Sequence, residues 1–316
     1  MMSRLLILGG SGFFGKSILD AYSRGLLKPW GIDNIVVISR HAVQLKISHP
    51  WLIDGSILLI NGDISTLRDL PNADFVIHAA ASTNAANYLL RPLQEKQNIQ
   101  AAILNYCQLA KKYHRNSKII YCSSGAAYGH QPADVLNISE DYVFGPIDGL
   151  PFVKRDYAAA KRDAEIEINK LGIAGLNVCI VRCFAFLGPY LPLDQHFAIG
   201  NFIRDGLRGD LITVNAKSAV YRSYLYADDL VRWLMRIGQM SSTACPVFNV
   251  GSDESISIQD LAIKLAIYFQ VDLQLPKIES ASVDRYIPSI EKARSIGCHI
   301  DYSLDRAIEA TVSSLT

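Results

Sequence analysis

An apolar run that stops on a glycine constrains this chain more than any other feature. Leu5-Leu6-Ile7-Leu8 reads as a buried β-strand, with Arg4 ahead of it. Gly9-Gly10-Ser11-Gly12-Phe13-Phe14-Gly15 follows without a break, and Lys16 to Arg24 carries Ile18, Leu19 and Tyr22 at helical spacing. A strand, a glycine turn and a helix in succession are the context that makes a glycine motif a dinucleotide site. In that reading Gly9 turns the chain off the strand. Gly12 lacks a Cβ and lets a pyrophosphate approach the backbone, and Gly15 lets the helix pack closely. The free N–H groups at the helix start, next to Ser11, then face the phosphates. The spacing is Gly-x-x-Gly-x-x-Gly, which an ordinary strand-to-helix turn also carries; its place and context favour the cofactor reading.

At 316 residues the chain is long enough for one or two domains. A formal net charge of +1, from 31 basic and 30 acidic residues, gives no reason to expect nucleic acid or an anionic membrane as partner. No apolar run is long enough to span a bilayer. Met1 to Leu8 is too short for a signal peptide and is better spent as the first strand. Cys107, Cys122, Cys179, Cys183, Cys245 and Cys298 are scattered, without a C-x-x-C pair. They read as reduced core residues of a cytoplasmic protein, and no metal site is expected.

Further strands are expected at Ile35–Ile38, Ile57–Ile60, Phe75–His78, Lys118–Cys122 and Asn177–Arg182. Helices are expected from Tyr88 to Tyr113 and from Asp156 to Leu171. This alternation predicts an α/β fold of the Rossmann type, a doubly wound parallel sheet with right-handed crossovers. Its ligands sit beyond the carboxyl ends of the strands, where Gly12, Arg40, Asp63, Ala80, Ser124 and Cys183 all fall. The second strand ends in Ser39-Arg40 with no acid. An acid there would bind a ribose 2′-hydroxyl, whereas Arg40 suits a 2′-phosphate, so the sequence favours NADP, with NAD as the alternative. Asp63-Ile64 would face the adenine. The small residues Ala79, Ala80 and Ala81 leave room for a cofactor across the strand ends, while His78 reads as structural. Residues 130–155 form a loop long enough to suggest a lid. After Arg182 the pattern becomes irregular and predicts a smaller C-terminal α/β substrate-binding cap. The expected division is 1–184 plus about 219–251 for the dinucleotide unit, and 185–218 plus 252–316 for the cap.

Tyr157 and Lys161 lie four residues apart on one helix face. A free phenol has a pKa of about 10, and a nearby ammonium lowers it. The lysine can also hold a cofactor ribose. The tyrosine can then exchange a proton with a substrate oxygen while a hydride moves at the attached carbon. Ser124, on a neighbouring strand, can hydrogen-bond that oxygen as charge develops.

Gly9 to Gly15, Asp63-Ile64, His78-Ala79-Ala80, Asn98, Ser123-Ser124 with Tyr128-Gly129, Tyr157 with Lys161, and Arg222 with Asp228-Asp229 together resemble the extended short-chain dehydrogenase/reductase family. That family includes the NAD-dependent epimerases and dehydratases acting on nucleotide sugars. The resemblance implies Ser124, Tyr157 and Lys161 as the catalytic set. It implies a cofactor lined by the glycine turn, Phe13, Phe14, Asp63 and Ile64, with Asn98, Cys122, Tyr157 and Lys161 beside it. Arg222 and Arg285 would meet a substrate diphosphate, Ser82 and Thr83 the sugar, and the protein would be a homodimer.

The departures narrow the chemistry. Gly125-Ala126 stand where common 4,6-dehydratases carry an acidic pair, so that elimination lacks its acid and base. Ala185 replaces an asparagine that often contacts substrate. The leading expectation is reduction of a 4-keto sugar nucleotide with NADP(H). The alternatives are an epimerase or dehydratase with tightly bound NAD, and a non-catalytic cofactor-binding regulator.

Overall fold

The computed structural model of the chain describes residues 3–81, 87, 90–150, 152–195 and 197–316. β1 (Ser3–Leu8), β2 (Ile32–Ser39), β3 (Ile57–Asn61), β4 (Phe75–His78), β5 (Lys118–Ser124) and β6 (Asn177–Cys183) contain the apolar runs read as strands. Together with Val247–Val250 they form one seven-stranded sheet in the order Val247–Val250, β6, β5, β4, β1, β2, β3. Every adjacent pair is parallel. This is the expected doubly wound Rossmann-type sheet.

Such a sheet needs cover on both faces, and its strands supply apolar side chains to both. Leu5, Ile7, Ile35, Val37 and Ile77 point into one cluster with Ile18 and Leu19 of α1 (Phe13–Ser23) and Leu230, Trp233 and Leu234 of the helix Ala227–Gly238. Their sequence neighbours Leu6, Leu8, Val36, Ile38 and Val76 point the other way. They pack against Ile99, Ile103 and Tyr106 of the helix Pro92–Tyr113 and Ala160, Ala164 and Ile168 of the helix Phe152–Ile173. The chain therefore leaves β1 over one face and β4 over the other. Adjacent strands that depart in opposite directions open a crevice at their carboxyl ends, which is where such sheets bind ligands.

After β6 the chain builds a second layer. Phe186–Leu187 pairs with Leu225–Tyr226, and Ala219–Arg222 lies between Ile256–Ser257 and Val283–Tyr286 in a three-stranded sheet. The helices Ala198–Arg208, Ile258–Phe269 and Leu304–Ser313 close a separate core around Phe202, Ile203, Leu261, Leu265 and Ile308. Between these cap segments the chain returns to the large sheet through Ala227–Gly238 and Val247–Val250.

The stretch after Tyr128, read from sequence as a lid, is tied down over its first part. Gln131 donates to the Val135 and Leu136 carbonyls and accepts from the Ile287 N–H. Ile138 exchanges backbone bonds with Ile287 and Ser289, and buried Asn249 reaches its carbonyl at 2.9 Å. Residues 131–140 are a strap joining β5 to the cap.

Candidate active site

At the end of β1, Gly9 has φ +88°. A Cβ there would stand 2.6 Å from the Ala80 Cα, so the turn lies directly against the exit of β4. Gly12 is extended and caps α1, which therefore starts at Phe13 rather than at the expected Lys16. Among the described residues no side chain caps this helix start, and no acid lies in its first turn. Among the described residues a Cβ on Gly12 would meet only the Gly9 carbonyl, at 3.8 Å, whereas one on Gly15 would overlap the Gly10 backbone. The turn is thus closed on the protein side and open toward the crevice, with uncapped N–H groups of the kind that bind phosphate. The residues fit a dinucleotide.

The neighbouring residues divide by what they have left to offer. The rings of Phe13 and Phe14 pack against Phe186, at 6.3 and 5.2 Å, and their backbone N–H groups belong to the helix start. Ile64 is buried in the core, and its carbonyl accepts from Asn105. Asp63 accepts from the Ser65 N–H and hydroxyl at 2.9 and 2.6 Å. Those bonds, aided by the Arg40 charge, hold its carboxyl below the usual carboxylate range. Arg40 is exposed at the end of β2, and the Ser39 hydroxyl beneath it is buried with no partner among the described residues. Ser11, Ala79 and Ala81 line the same end of the sheet, half-buried. Asn98 is exposed on its helix, with Gln94 as its partner at 3.1 Å. Ser82 and Thr83 lie outside the described residues. His78 is buried between the Tyr106 and Tyr121 rings, and neither ring nitrogen has a side-chain or backbone partner among the described residues; burial pulls its pKa down to about 3, as suits a neutral core histidine.

Ser124, Tyr157 and Lys161 converge. β5 runs two residues further than expected and ends on Ser124 itself. The Tyr157 phenol, carried on the first turns of the Phe152–Ile173 helix, lies close enough to the Ser124 hydroxyl for that hydroxyl to favour its charged form. Lys161, one turn further on, is buried. Its Nζ lies 5.7 Å from the centre of the Tyr157 ring but donates to the Cys122 carbonyl at 2.8 Å and to the Tyr121 phenol at 3.5 Å. The expectation that Lys161 lowers the Tyr157 pKa is corrected here. Burial dominates and pushes this phenol up to about 12, with the Ser124 hydrogen bond opposing it. Tyr157 is therefore a protonated, half-buried donor at neutral pH.

The arginines separate by strand alternation. Arg222 pairs in register with Tyr286, and Arg285 with Tyr221. Registered partners share a face. Tyr286 reaches Ser124 at 3.3 Å, so Arg222 lies on the side of the site, bonded to Asp284 at 2.8 Å. Arg285 lies on the opposite face, with its guanidinium 4.3 Å from the Tyr221 ring centre, and the structure does not bring it to Arg222. Sequence reasoning missed Tyr286. The signal available was Gly125, whose missing Cβ leaves space for the Tyr286 Oη and the Phe184 ring. Among the described residues, no cluster of three or more His, Cys, Asp or Glu could hold a metal, and no helix is long and apolar enough to cross a membrane.

Residues 5–251 match the model of the NAD dependent epimerase/dehydratase family. The chain is 25% identical over 297 residues to UDP-glucuronic acid decarboxylase 6 of Arabidopsis thaliana, covering 93% of this chain and 82% of that one. The fold superposes with a TM-score of 0.83 on UDP-N-acetylglucosamine 4-epimerase from Methanobrevibacter ruminantium in complex with UDP-N-acetylmuramic acid. That match has 21% identity and covers 99% and 98% of the two chains. It superposes with a TM-score of 0.81 on dTDP-glucose 4,6-dehydratase from Streptomyces venezuelae with NAD bound, at 19% identity over 98% and 96%.

Proposed function

Since the chain belongs to the NAD-dependent epimerase/dehydratase family, we propose that it is an NADP(H)-dependent oxidoreductase reducing the 4-keto group of a nucleotide-linked sugar. The observation that carries this reading is the convergence of Ser124, at the carboxyl end of β5, with Tyr157 and Lys161 of the following helix, where burial keeps Tyr157 protonated. Reduction of a carbonyl needs a proton donor at its oxygen, and a phenol in that state is one. The names of similar proteins supply the substrate class: they act on or bind UDP- and dTDP-sugars.

In this reading the α1 N-terminus, Gly12 and Ser11 hold the cofactor pyrophosphate, Asp63 and Ile64 border the adenine, and Arg40 takes a 2′-phosphate. Ala79, Ala80, Ala81, Asn98 and Cys122 flank the remainder, and Lys161 binds a ribose hydroxyl. The cofactor would supply the hydride. Tyr157 gives its proton to the substrate oxygen while Ser124 hydrogen-bonds that oxygen. Arg222 leaves Asp284 for the substrate diphosphate. Gly125 and Ala126 provide no acid for elimination, which sets dehydration aside. The apolar side chains Leu93, Leu104 and Ile166 are exposed on the helices Pro92–Tyr113 and Phe152–Ile173 and support a homodimer through those helices.

The test is NADPH consumption by purified protein with UDP-4-keto-6-deoxyglucose, run beside NADH. Faster turnover with NADPH is expected. Protein that isolates with NAD and interconverts UDP-glucose and UDP-galactose without added cofactor would replace this reading with an internal return of hydride.

A further inference from the structure

We propose that Tyr286 is a positioning residue for this reaction, closing a hydroxyl relay from Tyr157 through Ser124 to Tyr286 that ends on the Cys183 carbonyl. The inference rests on Ser124 and Tyr157 being the reacting pair. Tyr286 donates to the Cys183 carbonyl at 3.3 Å and lies 3.3 Å from the Ser124 Oγ. A hydroxyl has one proton, so Tyr286 accepts from Ser124 while it donates to Cys183. With its own proton on Tyr286, the Ser124 oxygen is left to accept from the Ala126 N–H at 3.2 Å and from the Tyr157 phenol beside it. All donors along the chain then point one way. Two further features hold Tyr286 in place. Its ring lies 4.6 Å from that of Phe184, and a Cβ on Gly125 would stand 2.8 Å from its Oη. The position where an acid would follow Ser124 is filled by this phenol, brought from a strand 162 residues away.

The relay acts when Tyr157 gives its proton to the substrate oxygen. Ser124 then turns its O–H toward the Tyr157 phenolate, and Tyr286 turns its own toward Ser124. No O–H bond of Ser124 or Tyr286 breaks, and the one proton that changes molecules is that of Tyr157. Hydrogen bonds to a charged oxygen are stronger than neutral ones and polarise their neighbours, so the reversed chain favours the state after transfer.

Tyr286→Phe keeps the ring and removes the hydroxyl. In NADPH-dependent turnover of UDP-4-keto-6-deoxyglucose it is expected to lower kcat about tenfold with KM little changed, the worth of one charge-assisted bond. The same loss should vanish in a Ser124→Ala background. Gly125→Ala, which pushes the phenol aside without removing it, should act in the same direction. A readout that needs no substrate is the ¹³Cζ-tyrosine resonance of Tyr157 in the free protein, identified by its disappearance in Tyr157→Phe. Tyr286→Phe should move it, and should not move it further once Ser124 is alanine. If wild type fails to turn over, the substrate reading fails and this resonance still decides the relay. Wild-type kcat in Tyr286→Phe, an equal loss with and without Ser124, or an unmoved Tyr157 resonance overturns the proposal.

Discussion

One added methyl group has different consequences at Gly12 and at Gly15. At Gly12 the protein leaves the space open, and the backbone, at φ −87°, suits any residue. At Gly15 the space is filled by the Gly10 backbone, so the first turn of α1 must move. Gly12→Ala should therefore keep the melting temperature within about 2 °C of wild type while losing about tenfold or more in NADPH affinity by calorimetry. Gly15→Ala should lower both. Equal melting losses in the two variants would show that the turn is structural and not a phosphate cradle. The shape of this turn was legible in the sequence because it lies within one strand-turn-helix unit. The pairing of Ser124 with Tyr157 was legible for a related reason, since consecutive elements of a parallel sheet bring their carboxyl ends together. Tyr286 was not legible, because its approach depends on the register of a second sheet. Nor was the state of Tyr157, which burial sets more strongly than the lysine on its own helix.

The Phe152–Ile173 helix is fixed at a second level by a buried ion pair. Glu165, two turns beyond Tyr157, meets Arg182 of β6 at 2.8 Å, with both side chains 8% exposed. Ser123, the residue before Ser124, donates to the same carboxylate at 2.5 Å, and Arg182 also reaches the Glu140 carbonyl of the strap. One carboxylate thus joins the Tyr157 helix to the ends of β5 and β6. Removing one partner strands a buried charge, and the loss is typically ~3–5 kcal/mol. Urea unfolding of Glu165→Ala should fall in that range, and the double change Glu165→Leu with Arg182→Met should recover a large part of it. A loss below ~1 kcal/mol in the single variant would mean that the pair is solvated and does not register the helix. The helix itself was legible from periodicity, but this function was not. The apolar spacing gives the buried face, whereas the partners of a polar residue on that face come from other segments. That residues 131–140, within the stretch read as a functional loop or lid, are tied down was not legible for the same reason: two of the hydrogen bonds that hold them end on residues more than a hundred positions away.

At the scale of the molecule, the two layers are tied through the N-terminus of the Ala227–Gly238 helix. Asp228 pairs with Arg24, the residue that caps the C-terminus of α1, at 2.5 Å. Asp229 is fully buried and accepts the N–H groups of Asp301 and Tyr302 at 3.1 Å each, just before the last cap helix. Arg232 sits between Asp229 and Asp301, at 2.9 and 3.1 Å. Despite these donors, burial and the Asp301 charge raise the Asp229 pKa from 3.8 to about 6. The sign of the consequence follows from proton counting. Between those two values the folded chain binds more proton at this site than the unfolded chain, so unfolding releases it and stability falls as pH rises. The contribution is complete below 3.8 and is lost once pH passes about 6. Asp63, held below the ordinary range, works in the opposite direction on the acid side, so total stability mixes several groups. The difference between wild type and Asp229→Asn isolates one of them. That difference, from urea midpoints measured between pH 4 and 7, should shift against wild type as pH rises to about 6 and then level off. A flat difference would mean that Asp229 is ionised with equal ease in both states, and that the junction between the layers is held by its backbone hydrogen bonds without an electrostatic penalty.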